Sequence, residues 1–122
     1  MKIFDLDVDF DFTSPKDVLR YKQASEKKDA RAKEVPTPTV PVTDPKYIDE
    51  YINMINQSLR IFGDFLNETF GEGVAEELLG DNPSMTRVIE VQEAIEKAFE
   101  KQGEELGLAM AKYMPNQATA DE

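Results

Sequence analysis

The residues with the clearest chemical potential are the carboxylates of DLDVDFDF, residues 5–12, where Asp5, Asp7, Asp9 and Asp11 alternate with Leu6, Val8, Phe10 and Phe12. Carboxylates at Asp-x-Asp spacing could hold a divalent cation or carry a phosphoryl group. Neither chemistry fits this stretch. Strict alternation is the period of a half-buried strand, with the aspartates on one face and the apolar side chains on the other. Carboxylates two residues apart on a strand lie about 7 Å apart, at a rise of about 3.3 Å per residue, too far to grip one small cation together. A calcium loop counted from Asp5 needs glycine at its sixth position and glutamate at its twelfth, where Phe10 and Lys16 stand. An aspartyl phosphoryl-transfer motif would want Thr or Val two residues after its second Asp, and here that position is Asp9 or Asp11. The stretch therefore predicts an edge strand whose charged outer face discourages edge-to-edge pairing.

The rest of the chain offers no other catalytic set. It has no Cys and no His, which removes thiolate chemistry, disulfides, the usual zinc ligands and the usual activator of Ser or Thr. FGEG and LLGDNPS lack phosphate-loop spacing and read as helix ends, and the methionines fall where helices need filler. No enzyme activity, cofactor or metal is expected. The formal charge of −11 disfavours nucleic acid or an anionic membrane as partner. The start, MKIFDLDV, lacks the apolar run and small-residue cleavage site of a signal peptide, and no stretch has 18 apolar residues, so a protein used inside a cell is expected.

Charge and proline divide the chain into four parts. Residues 1–34 hold the strand and a charged helix, with seven bases against four acids between 16 and 34. TSPKDVL is a helix start, with Ser14 as N-cap, Pro15 at the first position and Asp17 as capping-box partner, and it predicts a helix over about 15–33 that docks by its first two turns. Residues 35–45 carry Pro36, Pro38, Pro41 and Pro45 and form an extended connector, which includes a PxxP sequence. Residues 46–114 are expected to form the helical core, separable from the segment before the connector, and 115–122 an unstructured tail.

Within that core, Asp44 and Pro45 open a helix of about 25 residues in which Ile48, Ile52, Ile55, Leu59, Phe62 and Leu66 recur at spacings of 4, 3, 4, 3 and 4. That period predicts one continuous stripe facing the core. Ile61, Phe65 and Phe70 flank it and are the candidate partner-binding residues, an exposed cluster near FGEG being one outcome and burial the other. Gly71 ends this helix, VAEELLG forms a short one, and Asn82 or Ser84 caps a last helix over about 83–113 that Gly103 and Gly107 weaken. The fold expected is mainly α, a small helical bundle with a short N-terminal β-strand or hairpin and a Pro-rich connector.

The segments DFDFTSPKDVLRYKQA and IFGDFLNETFGEGVAEELLGDNPSMTRVIEVQEAIEKAFEKQ resemble a family of small proteins encoded by phages and prophages of Gram-positive bacteria. The resemblance rests on Phe62, Phe65, Phe70, Gly71, Glu72, Gly73, Ala75, Glu76, Gly80 and Arg87 and covers most of residues 5–102. The connector departs from it, since a continuous charged helix is expected at that point. Such genes sit among tail-morphogenesis genes. The resemblance implies a role similar to a tail assembly chaperone, a non-enzymatic protein of the host cytoplasm that binds tape-measure helices. A virion structural component, such as a connector or tail accessory protein, and a host-directed regulatory protein are the alternatives. Partners would be phage tail proteins, with a homo-oligomer left open.

Overall fold

The structure, a computed structural model, describes residues 1–113. The tail expected over 115–122 lies outside the described residues. The chain opens with β1 (Lys2–Ile3) and β2 (Leu6–Asp7), an antiparallel hairpin in which Lys2 faces Asp7 and Ile3 faces Leu6. Strand pairing is shorter than the alternation over 5–12 implies, because β1 supplies only two residues to pair with. Val8 and Met1 exchange two more bonds, the Val8 N–H reaching the Met1 carbonyl at 2.8 Å and the Met1 ammonium the Val8 carbonyl at 3.2 Å, and then Phe10 N–H turns back onto the Val8 carbonyl. The alternation of faces survives the loss of the ladder: Ile3, Val8 and Phe10 are buried while Asp7, Asp9 and Asp11 are exposed.

Helix α1 spans Pro15–Ala32, with Pro15 at its first position as expected. The capping box does not form. Ser14 makes no side-chain cap bond, and the Asp17 carboxylate instead accepts the Asp11 N–H at 2.9 Å, which ties the preceding loop to the first turn. The first turns dock through Val18 and Tyr21, as expected, and the second half, expected to be solvated, docks as well. Leu19 in the first turns is half-exposed, whereas Lys27 pairs with Glu68 at 2.8 Å and Arg31 with Asp64 at 2.7 Å along α2 (Lys46–Phe70). These pairings run in opposite directions along the two helices, so α1 and α2 are antiparallel.

The connector is fastened at its middle and its end. Thr39 donates its hydroxyl to one oxygen of Glu50 at 2.7 Å and its N–H to the other at 3.3 Å. Asp44 then caps α2, its carboxylate accepting the Lys46 N–H at 2.9 Å. At the far end Gly71 (φ 123°) and Gly73 (φ 85°) occupy backbone conformations that only glycine enters readily, and they turn the chain into α3 (Val74–Leu79). Helix α4 (Met85–Tyr113) starts on Ser84, whose hydroxyl oxygen accepts the Arg87 N–H at 3.1 Å, and it continues unbroken through Gly103 and Gly107.

The core joins both sides of the connector. Phe99 of α4 stacks on Phe12 at 4.2 Å and on Phe10 at 5.5 Å and meets the edge of Tyr21 at 4.9 Å, while Phe10 meets Phe70 at 5.1 Å. Ile3, Val8, Phe10 and Ala24 thus belong to the same buried cluster as Phe65, Leu66, Leu78, Val91 and Ile95. Residues 1–34 contribute buried side chains to the core expected over 46–114. The fold is mainly helical, a small bundle of four helices among the described residues, with a two-stranded N-terminal hairpin.

Candidate partner-binding surface

The aspartates of the opening stretch are dispersed. Asp5 lies in the hairpin turn, Asp7 faces the Met1 ammonium at 3.5 Å, and the Asp9 carbonyl accepts a long bond from Arg20. Asp11 accepts both the Thr13 hydroxyl (2.6 Å) and the Thr13 N–H (2.9 Å), and these bonds, the hydroxyl first, hold its carboxyl below the usual aspartate value of 3.8. Among the described residues, no group of three or more acidic side chains is placed to hold a metal ion.

The clefts are shallow and open. One of about 460 Å³ lies where α1 ends against α2, lined by Arg31, Glu34, Asn53, Gln57, Arg60 and Ile61, and is mostly polar. Another, of about 540 Å³, lies between the hairpin and α4. At its edge Phe4 holds the hairpin turn at φ 53°, a conformation uncommon for an aromatic residue, beneath the Arg87 guanidinium at 4.4 Å. Arg87 also donates from Nε to the Leu78 carbonyl at 2.9 Å, so it clamps hairpin, α3 and α4 together.

Ile61, Phe65 and Phe70 do not form a surface cluster. They are 7%, 2% and 4% exposed. Phe65 lies under the Lys28 ammonium at 4.4 Å and against Tyr21 at 5.8 Å, and Phe70 is covered by Phe10. Of the two outcomes weighed for them, the structure builds burial, because α1 and the N-terminal segment close over this end of α2.

The open apolar surface lies two to four turns earlier on the same helix. Ile48 is 57%, Ile52 50% and Tyr51 39% exposed, and Ile55 and Leu59 are half-buried. By helical spacing Ile48, Ile52, Ile55 and Leu59 share a face with Phe62 and Leu66, so the stripe is continuous but covered only at its C-terminal end. The reason is where α1 ends. It runs antiparallel to α2 and stops near the Arg31–Asp64 pair, which leaves about the first four turns of α2 beyond it. There the connector runs beside α2 on the side of Glu50, away from Ile48 and Ile52. Helix α4 has a second overhang beyond Phe99, where Leu106, Leu108 and Tyr113 are exposed. Sequence periodicity located the α2 stripe and assigned all of it to the core; the offset of α1 along α2, which leaves its first half uncovered, has no signal in the period.

The arrangement is that of a small acidic helical protein with open clefts and an uncovered helix face, and among the described residues no helix is long and apolar enough to cross a membrane. The chain belongs to a family of unknown function, DUF6673, whose model matches residues 4–121. No curated protein and no solved structure matches it. The residues that carried the sequence resemblance are largely architectural here: Phe62, Phe65 and Phe70 are core, Gly71, Gly73 and Gly80 have positive φ, and Arg87 is the clamp.

Proposed function

We propose that this protein acts by binding another protein, as a tail assembly chaperone-like partner of an apolar helix such as one from a phage tape-measure protein, in the host cytoplasm and without catalysis. The observation that carries this reading is the uncovered face of α2 around Ile48, Tyr51 and Ile52. An amphipathic client helix laid along it would extend the core that Phe62 and Leu66 begin, in the helix-in-groove mode of recognition. The net charge of −11 suits such a role, since it keeps a protein with an open apolar face soluble.

Co-expression with a phage tape-measure protein tests the proposal. The two should co-purify, Ile52→Asp should abolish co-purification while leaving the fold intact, and purified virions should lack the protein. Its presence in virions at fixed copy number would instead make it a structural component. Co-purification that Ile52→Asp leaves unchanged would remove this face from the account.

A further inference from the structure

Two kinds of cover close the second half of α2. Helices α3 and α4 bring buried apolar side chains, Leu78, Val91, Ile95 and Phe99. The second half of α1 brings none: from Ser25 to Ala32 no residue is buried, and its apolar side chains, Ala30 and Ala32, are exposed. In their place Lys28 lays its ammonium over Phe65 at 4.4 Å and Phe62 at 6.0 Å, and the Ser25 hydroxyl is buried without a hydrogen-bond partner among the described residues. An orphaned hydroxyl and a lysine stem contribute little to holding a helix down.

What holds this stretch is an array of four charges. Lys27 and Arg31 stand four residues apart on α1, Asp64 and Glu68 four apart on α2. Taken alone, each is a like-charge pair one turn apart, which destabilises its own helix. Because the helices run antiparallel the two pairs meet, Lys27 on Glu68 at 2.8 Å and Arg31 on Asp64 at 2.7 Å, and the repulsion within each helix is offset by attraction across the two. Solvent reaches all four side chains, so dissolved salt weakens this attraction. Once released, SEKKDARA is far shorter than the roughly 12–15 residues an isolated helix needs in water, and it runs on into Pro36 and Pro38.

We infer that residues 25–33 form an ionic latch, which closes over Phe62 and Phe65 at low ionic strength and frays from them as salt rises while the rest of the fold stays intact. Tyr21, in the first half of α1, keeps its edge contact with Phe65 at 5.8 Å, and the connector stays fastened to Glu50 through Thr39, so the freed segment is tethered at both ends. Opening bares Phe62 and one side of Phe65. Phe62 lies two turns beyond Ile55 on the same helix face, so the open apolar surface of α2 grows toward its covered end. The latch itself does not depend on what binds that surface.

Hydrogen exchange of the full chain, read by mass spectrometry at about 0.05 M and about 1 M NaCl, is the test. The amides of 25–33 should exchange about tenfold faster at high salt relative to those of 88–99 in α4, the change expected when two exposed ion pairs are lost. Lys27→Gln with Arg31→Gln should exchange at low salt as fast as the wild type at high salt and lose the dependence. Reversing both pairs, with Lys27→Glu, Arg31→Glu, Asp64→Lys and Glu68→Lys together, should restore protection and its salt dependence. Lys22→Gln, at an ion pair with Glu26 inside α1, should leave both unchanged. A wild type whose 25–33 amides ignore salt, equal acceleration in α4, or a salt dependence that survives the double glutamine variant would each overturn the inference.

Discussion

The two halves of α2 have the same spacing and similar apolar residue types, yet opposite surroundings. From Ile61 to Phe70 the helix is sealed by α1, α3, α4 and the N-terminal segment, and Leu66 is fully buried. From Ile48 to Ile52 the same face looks outward and at Ile55 and Leu59 it is half-buried, with the Thr39–Glu50 bonds and the end of α1 beside this half of the helix. An apolar period therefore identifies a face of a helix without saying who covers it. That depends on where the neighbouring elements end, and here α1 stops about four turns short of the start of α2.

The contrast is broken most severely by removing what seals the second half. A chain lacking residues 1–43 loses Ile3, Val8, Phe10 and Ala24 from the core and bares Phe65, Phe70 and Phe99. It should show no cooperative transition in a circular dichroism melt; a sharp one would mean that the helical segment after the connector folds alone after all. Next in size, Phe65→Ala should cost about 3–5 kcal/mol in urea unfolding, as large-to-small changes at sealed aromatic sites do. A loss below about 1 kcal/mol would place that ring at a surface, which is where such small effects belong.

Much of this was legible in the sequence. The helix starts at Pro15, Asp44 and Ser84, the stop at Gly71, and the inward side of Val8 and Phe10 all come from local chemistry, since a cap, a glycine turn or a two-residue period is decided within a few residues. Burial of Phe65 and exposure of Ile48 were not legible, because both depend on which distant segment arrives to cover them. The second half of α1 was likewise undervalued. Its docking uses Lys28, Lys27 and Arg31, whose long side chains lie on an aromatic ring or reach carboxylates across the helix pair, and hydropathy counts such residues as solvated.

Two smaller effects sharpen the picture of the sealed half. Thr69 is fully buried and its hydroxyl has no hydrogen-bond partner among the described residues, so Thr69→Val should raise stability by about 1 kcal/mol in the same urea titration. A destabilised Thr69→Val would mean that the hydroxyl is satisfied. The smallest effect concerns Asp11 in the loop that holds Phe10 and Phe12 in place. Its carboxyl is held below 3.8 in the folded chain, so its contribution to stability is present above that value and lost as pH falls through the lower folded value. Thr13→Val should move the Asp11 carboxyl titration, followed by NMR, upward toward 3.8; an unchanged midpoint would show that the Thr13 hydroxyl is not the cause.

A stripe that is core at one end and interface at the other should respond in opposite ways to the same charge placed at each end. Thermal melts of Leu66→Asp and Ile52→Asp, at protein concentrations low enough for the chain to be monomeric, should separate completely. Leu66→Asp is predicted to abolish the folded state, because an unpaired carboxylate cannot be accommodated in a sealed core. Ile52→Asp is predicted to melt within a few degrees of the wild type, the shift expected for less than about 1 kcal/mol in a domain of this size. An Ile52→Asp chain that unfolds like Leu66→Asp would contradict the account, since the first half of α2 would then be core as well.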